Sequence, residues 1–301
     1  MALRPGRRWH PAWMLAPTAV LLVVFFFYPL AHAVRLSFYR WDLLTAPTPV
    51  GWTNYGELAQ SGALARTLWA TLLLSGLVVT AATALGLGLA LLLQRPSKLA
   101  AFVRGAVFSA YVMSWVSVAL VWLWILDADA GVLGHVLGAL GFPRIDWLGD
   151  PDLALYSVAA VTTWKIAGYA MVLFLAGLAD VPPALLEAAA LDGAGRWARF
   201  RHVTWPLLRP TTAFVVTTSL IASFQVFDVV RVMTQGGPVH ATTVFVYSIY
   251  EQSFMNLRIG RASAEVVVFF VCLLGLTGLE LWAWQRRDHR LKSRSVRGGT
   301  R

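Results

Sequence analysis

Apolar residues in this chain neither alternate nor recur on one face. They gather into six blocks, residues 13–34, 67–93, 105–126, 153–179, 211–235 and 264–284, each with few or no charges. A bilayer's hydrocarbon takes roughly 20 residues of helix, so each block predicts a membrane span. Strands are a poor alternative: the blocks are too long for barrel strands, and open strands would leave backbone groups unpaired in lipid. The expected fold class is an all-α membrane protein with six transmembrane helices.

Composition agrees, with 58% hydrophobic and only 13% charged residues in 301, where a water-soluble domain would approach a quarter charged. The net charge of +10 invites a nucleic-acid reading, but the basic residues are partitioned by segment as a membrane demands. Segments 1–12, 94–104, 180–210 and 285–301 hold 17 Lys and Arg, against six in 35–66, 127–152 and 236–263. By the positive-inside rule both termini are cytoplasmic, and the acidic loop with Asp127, Asp129, Asp146, Asp150 and Asp152 faces outward. The lone Cys272 forms no intrachain disulfide, and the six histidines lack metal-ligand spacing. The first block follows Arg4, Arg7 and Arg8 and ends in Ala31-His32-Ala33, like a signal-peptidase site. The 24 uncharged residues from Pro11 to Val34 exceed a signal's hydrophobic region of roughly 7–15, which predicts a retained anchor.

The segment between the fourth and fifth blocks, 180–210, is long and patterned. Pro182 and Pro183 end the span, and 184–191 is rich in helix formers, with Glu187 in the early turns where a carboxylate suits the dipole. Gly193 and Gly195 break that helix. A second stretch, 196–204, puts Trp197, Phe200 and Val203 on one face and Arg196, Arg199 and Arg201 around the rest; Pro206 and Pro210 reset the chain. On composition alone this is an interfacial linker whose basic residues meet lipid head groups.

The spacing is more specific. Glu187-Ala188-Ala189, then Asp192-Gly193, then Val203-Thr204-Trp205-Pro206 resembles the EAA loop of permease subunits in binding-protein-dependent ABC importers. Val203 and Trp205 stand where the family's usual ending has Ile and Leu. Tyr28-Pro29-Leu30, Leu36-Ser37-Phe38, Trp41-Asp42 and Val50-Gly51-Trp52-Thr53-Asn54-Tyr55 are similar to the start of maltose and glycerol-phosphate type sugar permeases. Phe224-Gln225-Val226-Phe227-Asp228 and Met233-Thr234-Gln235-Gly236-Gly237-Pro238 look like that group's fifth span and outer turn, in the first of its two permeases. Together the matches run from about residue 15 to 285.

The resemblance implies a type I importer permease fold and a division of labour. The helix bearing Glu187, Ala188 and Ala189, with Asp192, Gly193, Arg196 and Pro206 around it, would dock on a cytoplasmic ATPase, present in two copies. A second permease subunit and an extracytoplasmic solute-binding protein would complete the complex, the latter meeting segments 39–65 and 236–263 and the Gly236-Gly237-Pro238 turn. No phosphate loop ending in Gly-Lys-Ser/Thr occurs, since Lys98, Lys165 and Lys292 follow Ser, Trp and Leu. ATP and Mg therefore belong to the partner ATPase, no cofactor to this chain, and the subunit is no enzyme by itself.

Lys165, Asp228 and Arg231 fall inside spans, where a charge costs about 2.5–3.5 kcal/mol on insertion scales, so they should face the bundle interior. Lys165 and Asp228 form an interhelical ion pair, or Asp228 and Arg231 satisfy each other at i and i+3, or the charges meet solute. Two buried cations also point toward a phosphate-bearing solute such as glycerol-3-phosphate or a glycerophosphodiester. Trp164, Tyr169, Phe224, Gln225 and Phe227 join them as solute-path candidates, because a sugar offers apolar ring faces and a rim of hydroxyls. Trp282 and Trp284 fit an inner aromatic belt, and Arg290 to Arg301 an irregular, lipid-facing tail. The alternative is an ATP-independent facilitator or membrane enzyme whose 180–210 loop merely lies on the lipid surface.

Overall fold

The computed structural model describes residues 10–298, with side chains from Met14 to Trp284 and at Arg286. In chain order the helices begin with α1 (Met14–Leu36), which takes a wide π turn at Val23–Phe27. A two-stranded hairpin, β1 (Tyr39–Arg40) and β2 (Thr48–Pro49), leads to α2 (Thr53–Gln60) and α3 (Ala63–Leu93). Next come α4 (Lys98–Val112), α5 (Trp115–Ile125), α6 (Val132–Ala139), α7 (Ala154–Ala179), α8 (Pro183–Leu191) and α9 (Arg196–Arg199). The chain finishes with α10 (Arg209–Phe224), α11 (Asp228–Met233), α12 (Phe245–Tyr250) and α13 (Ile259–Gly298). Five stretches are long and apolar enough to cross a bilayer by themselves, Met14–Leu36, Ala63–Leu93, Ala154–Ala179, Arg209–Met233 and Ile259–Trp284; α4 and α5 make a sixth if counted together.

Two expected spans are not continuous. Where the sequence predicts one helix over 105–126, α4 starts earlier, capped by Ser97 accepting from the Ala100 N–H at 3.0 Å, and meets α5 at 104°. Met113 and Ser114 between them are extended, with ψ of 150° and 137°. The fifth block also breaks, at Gln225 to Phe227 between α10 and α11. At the other end of the chain, the tail expected to be irregular continues α13 as helix to Gly298. Residues 1–9 and 299–301 of the two ends lie outside the described residues.

The chain divides into two compact units. The smaller holds the segments up to Gly62 and Ile249–Phe270. Its hairpin pairs Tyr39 with Pro49 and Arg40 with Thr48. Asn54 fastens the hairpin's base, its amide donating to the carbonyls of Ser37 at 2.7 Å and Tyr39 at 3.0 Å, while the Tyr55 hydroxyl donates to Ser37 Oγ at 2.8 Å. Phe38 meets Trp52 edge-on at 5.0 Å. The Trp52-Thr53-Asn54-Tyr55 motif is thus a structural clasp. Asp42 Oδ1 accepts from the Thr45 and Leu44 amides and the Thr45 hydroxyl, closing the turn, and these bonds hold its carboxyl below the usual aspartate range.

The larger unit spans Ala63–Ser248 and Val271–Arg301 and is organised on α7. This helix is apolar on every side apart from Ser157, Thr162, Thr163 and Lys165, as suits a largely buried span, and packs against α3, α4 and α10. Lipid is as apolar as leucine, so helix association relies on close van der Waals fit and small residues at the contacts. A Cβ at Gly86 of α3 would lie 2.6 Å from Ala170 Cβ, and one at Gly168 would strike the Val107 carbonyl of α4. Ala170, Met171 and Phe174 of α7 form the core with Ala90 and Val215.

Candidate functional site

A cavity of about 830 Å³ opens where the broken third span faces α7 and the end of α10. Its wall includes Tyr111, Ser114 and Trp115 at the elbow, Lys165 and Tyr169 of α7, Thr218 and Ser219 of α10, and Gln225, Phe227 and Asp228 at the α10–α11 break. Helix breaks belong at such a place, because irregular backbone at membrane depth is tolerated only where protein or a cavity surrounds it.

Lys165 explains the elbow. Its side chain is 1% exposed, and Nζ donates to the carbonyls of Ala110 at 3.0 Å, Tyr111 at 3.1 Å and Met113. The last carbonyls of any helix lack intrahelical donors and carry the negative end of its dipole, so an ammonium there meets both needs. The Trp115 ring stands 4.7 Å from Nζ, within cation–π range. The interhelical pair with Asp228 is therefore not formed: no ion pair joins Lys165 and Asp228 among the described residues.

One turn along α7 from Lys165, the Tyr169 ring stacks on Tyr111 with centroids 4.7 Å apart and planes 15° apart. Opposite, Ser219 is 1% exposed and its hydroxyl has no partner among the described residues. The wall thus combines aromatic faces, hydroxyls, one amide, one carboxylate and the backbone-bonded Lys165 ammonium, a set suited to hydrogen-bonding and stacking with a small polar solute.

Of the solute-path candidates taken from sequence, Lys165, Tyr169, Gln225, Phe227 and Asp228 share this wall. Trp164 does not: it is 43% exposed, meets Trp122 edge-on at 5.6 Å and lines a separate apolar cavity of about 660 Å³. Phe224 is fully buried off the wall, and Arg231, on α11, does not line it either. Sequence reasoning missed Tyr111, Ser114 and Trp115, because an unbroken helix would have dispersed them. The hydroxyl run Thr217-Thr218-Ser219 inside an apolar span was a legible signal for the rest.

The 180–210 segment forms a second candidate site. Helix α8 starts with Pro183 at its first turn and ends in a Schellman cap, the Gly193 N–H donating to the Ala190 carbonyl at 3.1 Å and Ala194 N–H to Ala189 at 2.9 Å. Gly193 carries the required positive φ, +80°. Glu187, Ala188, Asp192, Gly193 and Arg196 are exposed and Ala189 is partly so, and the apolar Leu185 and Leu191 also stand open, at 47% and 91%. After α9 a π turn over Phe200–Thr204 carries the chain past half-buried Pro206 to α10, with Trp197 and Phe200 stacked at 5.6 Å.

Two threonines ahead of α12 tie down the Gly236-Gly237-Pro238 turn. Thr242 Oγ1 donates to the Gly237 carbonyl at 2.7 Å and Thr243 Oγ1 to Gly236 at 3.1 Å. Gly236 has φ +79°, and a Cβ there would press on the Tyr247 ring. No group of His, Cys, Asp or Glu arranged to hold a metal occurs among the described residues.

Comparison with known proteins identifies the architecture. The chain is 32% identical over 286 residues to the sulfoquinovosyl glycerol transport system permease protein SmoG of Agrobacterium fabrum, covering 94% of this chain and 92% of that one. It is 32% identical over 281 residues to the sn-glycerol-3-phosphate transport system permease protein UgpA of the same organism, covering 93% and 96%. Among solved structures it resembles a chain of a bacterial ABC transporter involved in the import of the acidic polysaccharide alginate, with 25% identity, a TM-score of 0.80, and coverage of 92% and 96%. Residues 82–286 match the family described as the binding-protein-dependent transport system inner membrane component. The chain belongs to that family and is a non-catalytic, multi-pass permease subunit of an ABC importer with the type I permease fold.

Proposed function

We propose that this permease moves a sugar or sugar-like solute inward through the cavity at the α4–α5 elbow, by alternating access driven from the α8 element. A second permease subunit completes the pathway, and two copies of a cytoplasmic ATPase bind ATP and Mg. A solute-binding protein delivers solute to segments 39–65 and 236–263 on the outer side. Both termini are cytoplasmic, in keeping with the Lys and Arg bias of the loops. Support for delivery by a binding protein comes from a second solved relative, the bacterial alginate ABC transporter in complex with alginate pentasaccharide-bound periplasmic protein, with 25% identity and a TM-score of 0.78.

The observation that carries the coupling role is α8 itself, a helix begun by Pro183 and closed by the Gly193 cap, yet left open at Leu185 and Leu191. Ala188 and Ala189 allow close approach by a groove, Glu187 offers a carboxylate to a basic partner, and Gly193 sets the turn behind them. ATP-driven closure of the ATPase pair then moves α8 and rocks the spans between inward-open and outward-open states.

The test is the reconstituted complex, in which uptake and ATP hydrolysis are measured for wild type and Glu187→Lys. Loss of coupling with normal insertion supports the reading. Uptake that needs neither ATP nor Glu187 would make the chain a facilitator and α8 a lipid-surface helix.

A further inference from the structure

The two charged residues on the cavity wall are not equivalent. Lys165 donates its N–H groups to the carbonyls of Ala110, Tyr111 and Met113, and the Trp115 ring stands against the ammonium. With its side chain 1% exposed, a solute anion must displace three backbone bonds to claim it. The same carbonyls bring the negative end of the α4 dipole beside the ammonium and offset its field. Asp228 is different. It sits half-buried on the first turn of α11, on the wall, and makes no ion pair among the described residues. Arg231, one turn on, is off the wall. The remaining polar lining is neutral, with Ser114, Thr218, Ser219 and Gln225 beside the stacked Tyr111 and Tyr169.

We propose that this cavity selects uncharged, polyhydroxylated solutes over their anionic counterparts, with Asp228 as the specificity-determining residue. This rests on the cavity's being the solute path. A carboxylate at membrane depth is costly to keep unless it has a function. Here it accepts hydrogen bonds from solute hydroxyls and repels a sulfonate or phosphate. That separates the chain from the two permease relatives above, which are named for solutes bearing those groups. It also reverses the expectation drawn from Lys165 and Arg231 in the sequence, because counting cations takes no account of donors already engaged.

The test uses the assembled complex in nanodiscs without its solute-binding protein, so that selectivity comes from the membrane cavity alone. Two pairs alike in skeleton but differing in charge are titrated calorimetrically, glucosyl glycerol with sulfoquinovosyl glycerol and trehalose with trehalose 6-phosphate. Each neutral member should bind about tenfold more tightly than its anionic partner, the size of one like-charge repulsion across several ångströms of partly solvated protein. Asp228→Asn should narrow that gap to about threefold or less. An anionic member that binds wild type as tightly as the neutral one, or a gap that Asp228→Asn leaves intact, overturns the proposal. The wild-type comparison stands by itself if the variant does not assemble. If none of the four binds, the solute-path reading fails instead, a result distinct from an anion's winning.

Discussion

Replacing Lys165 with Met keeps most of the stem and removes only the ammonium, which isolates its hold on the elbow. Three carbonyls then lose their donor, and bonds to a charged group contribute about 1.5–3 kcal/mol each in water-soluble proteins. Interhelical hydrogen bonds in membranes are weaker, averaging ~0.6 and reaching ~1.7 kcal/mol, so three of them are worth roughly 2–5 kcal/mol. Loss of the Trp115 contact adds about 1 kcal/mol. Against this, the variant no longer buries a cation, which offsets up to ~3 kcal/mol, though an insertion scale overstates the cost for an ammonium already bonded. The balance is a destabilisation of about 2 kcal/mol. Unfolding of the purified complex, monitored by thermal shift and by protease susceptibility of the 110–116 region, measures it. A double-mutant cycle with Trp115→Leu should show coupling of about 1 kcal/mol. A Lys165→Met protein within about 0.5 kcal/mol of wild type, with no coupling to Trp115, would refute the bracing role.

The same geometry makes three further outcomes testable. Gly168→Val forces a side chain onto the Val107 carbonyl and should cost more than about 2 kcal/mol or block assembly, whereas Gly88→Ala meets open space and should be neutral or stabilising by up to about 1 kcal/mol; thermal shift compares them. Gly193→Ala meets no atom within 4 Å but must hold φ near +80°, costing about 1 kcal/mol locally; faster hydrogen exchange at the 193 and 194 amides reports the frayed α8 cap. Asp42 titrates lower in the folded chain than unfolded, so its contribution to the 42–45 turn is complete above the usual aspartate value of about 4 and is lost as pH falls through the lowered folded value. Proton exchange of the Leu44 and Thr45 amides against pH checks the direction, and protection that rises on acidification would contradict it.

The long spans were legible and their continuity was not. Long apolar runs announce spans because lipid imposes length and composition together. The α4–α5 break left no such mark. Neither Gly nor Pro stands at Met113-Ser114, and the device that holds the bend is a lysine more than fifty residues away in sequence. The same distance misdirected the reading of Lys165, for which a carboxylate is the obvious partner and backbone carbonyls are invisible in a string of letters. Tyr169 was legible as an aromatic near charges, yet its partner Tyr111 was not, since the elbow is what brings the two rings together. Trp164 shows the opposite error: adjacent to Lys165 in sequence, it points about 100° around the helix, toward a different cavity. Helix α8 and its glycine stop were readable to within a residue, because propensity and cap chemistry are local.

The elbow also has a mechanical consequence. Helix α5 has 11 residues and is thus a rod about 16 Å long, joined to α4 through the backbone dihedrals of Met113 and Ser114. With so short a joint, α5 is a lever arm whose fulcrum lies at the Lys165 ammonium. A turn of about 10° at those two residues swings its far end by about 3 Å, a displacement on the scale of one water molecule, while every hydrogen bond inside both helices stays in place. A movement of that size therefore requires no helix to melt or re-register, only a change of angle at one pair of residues.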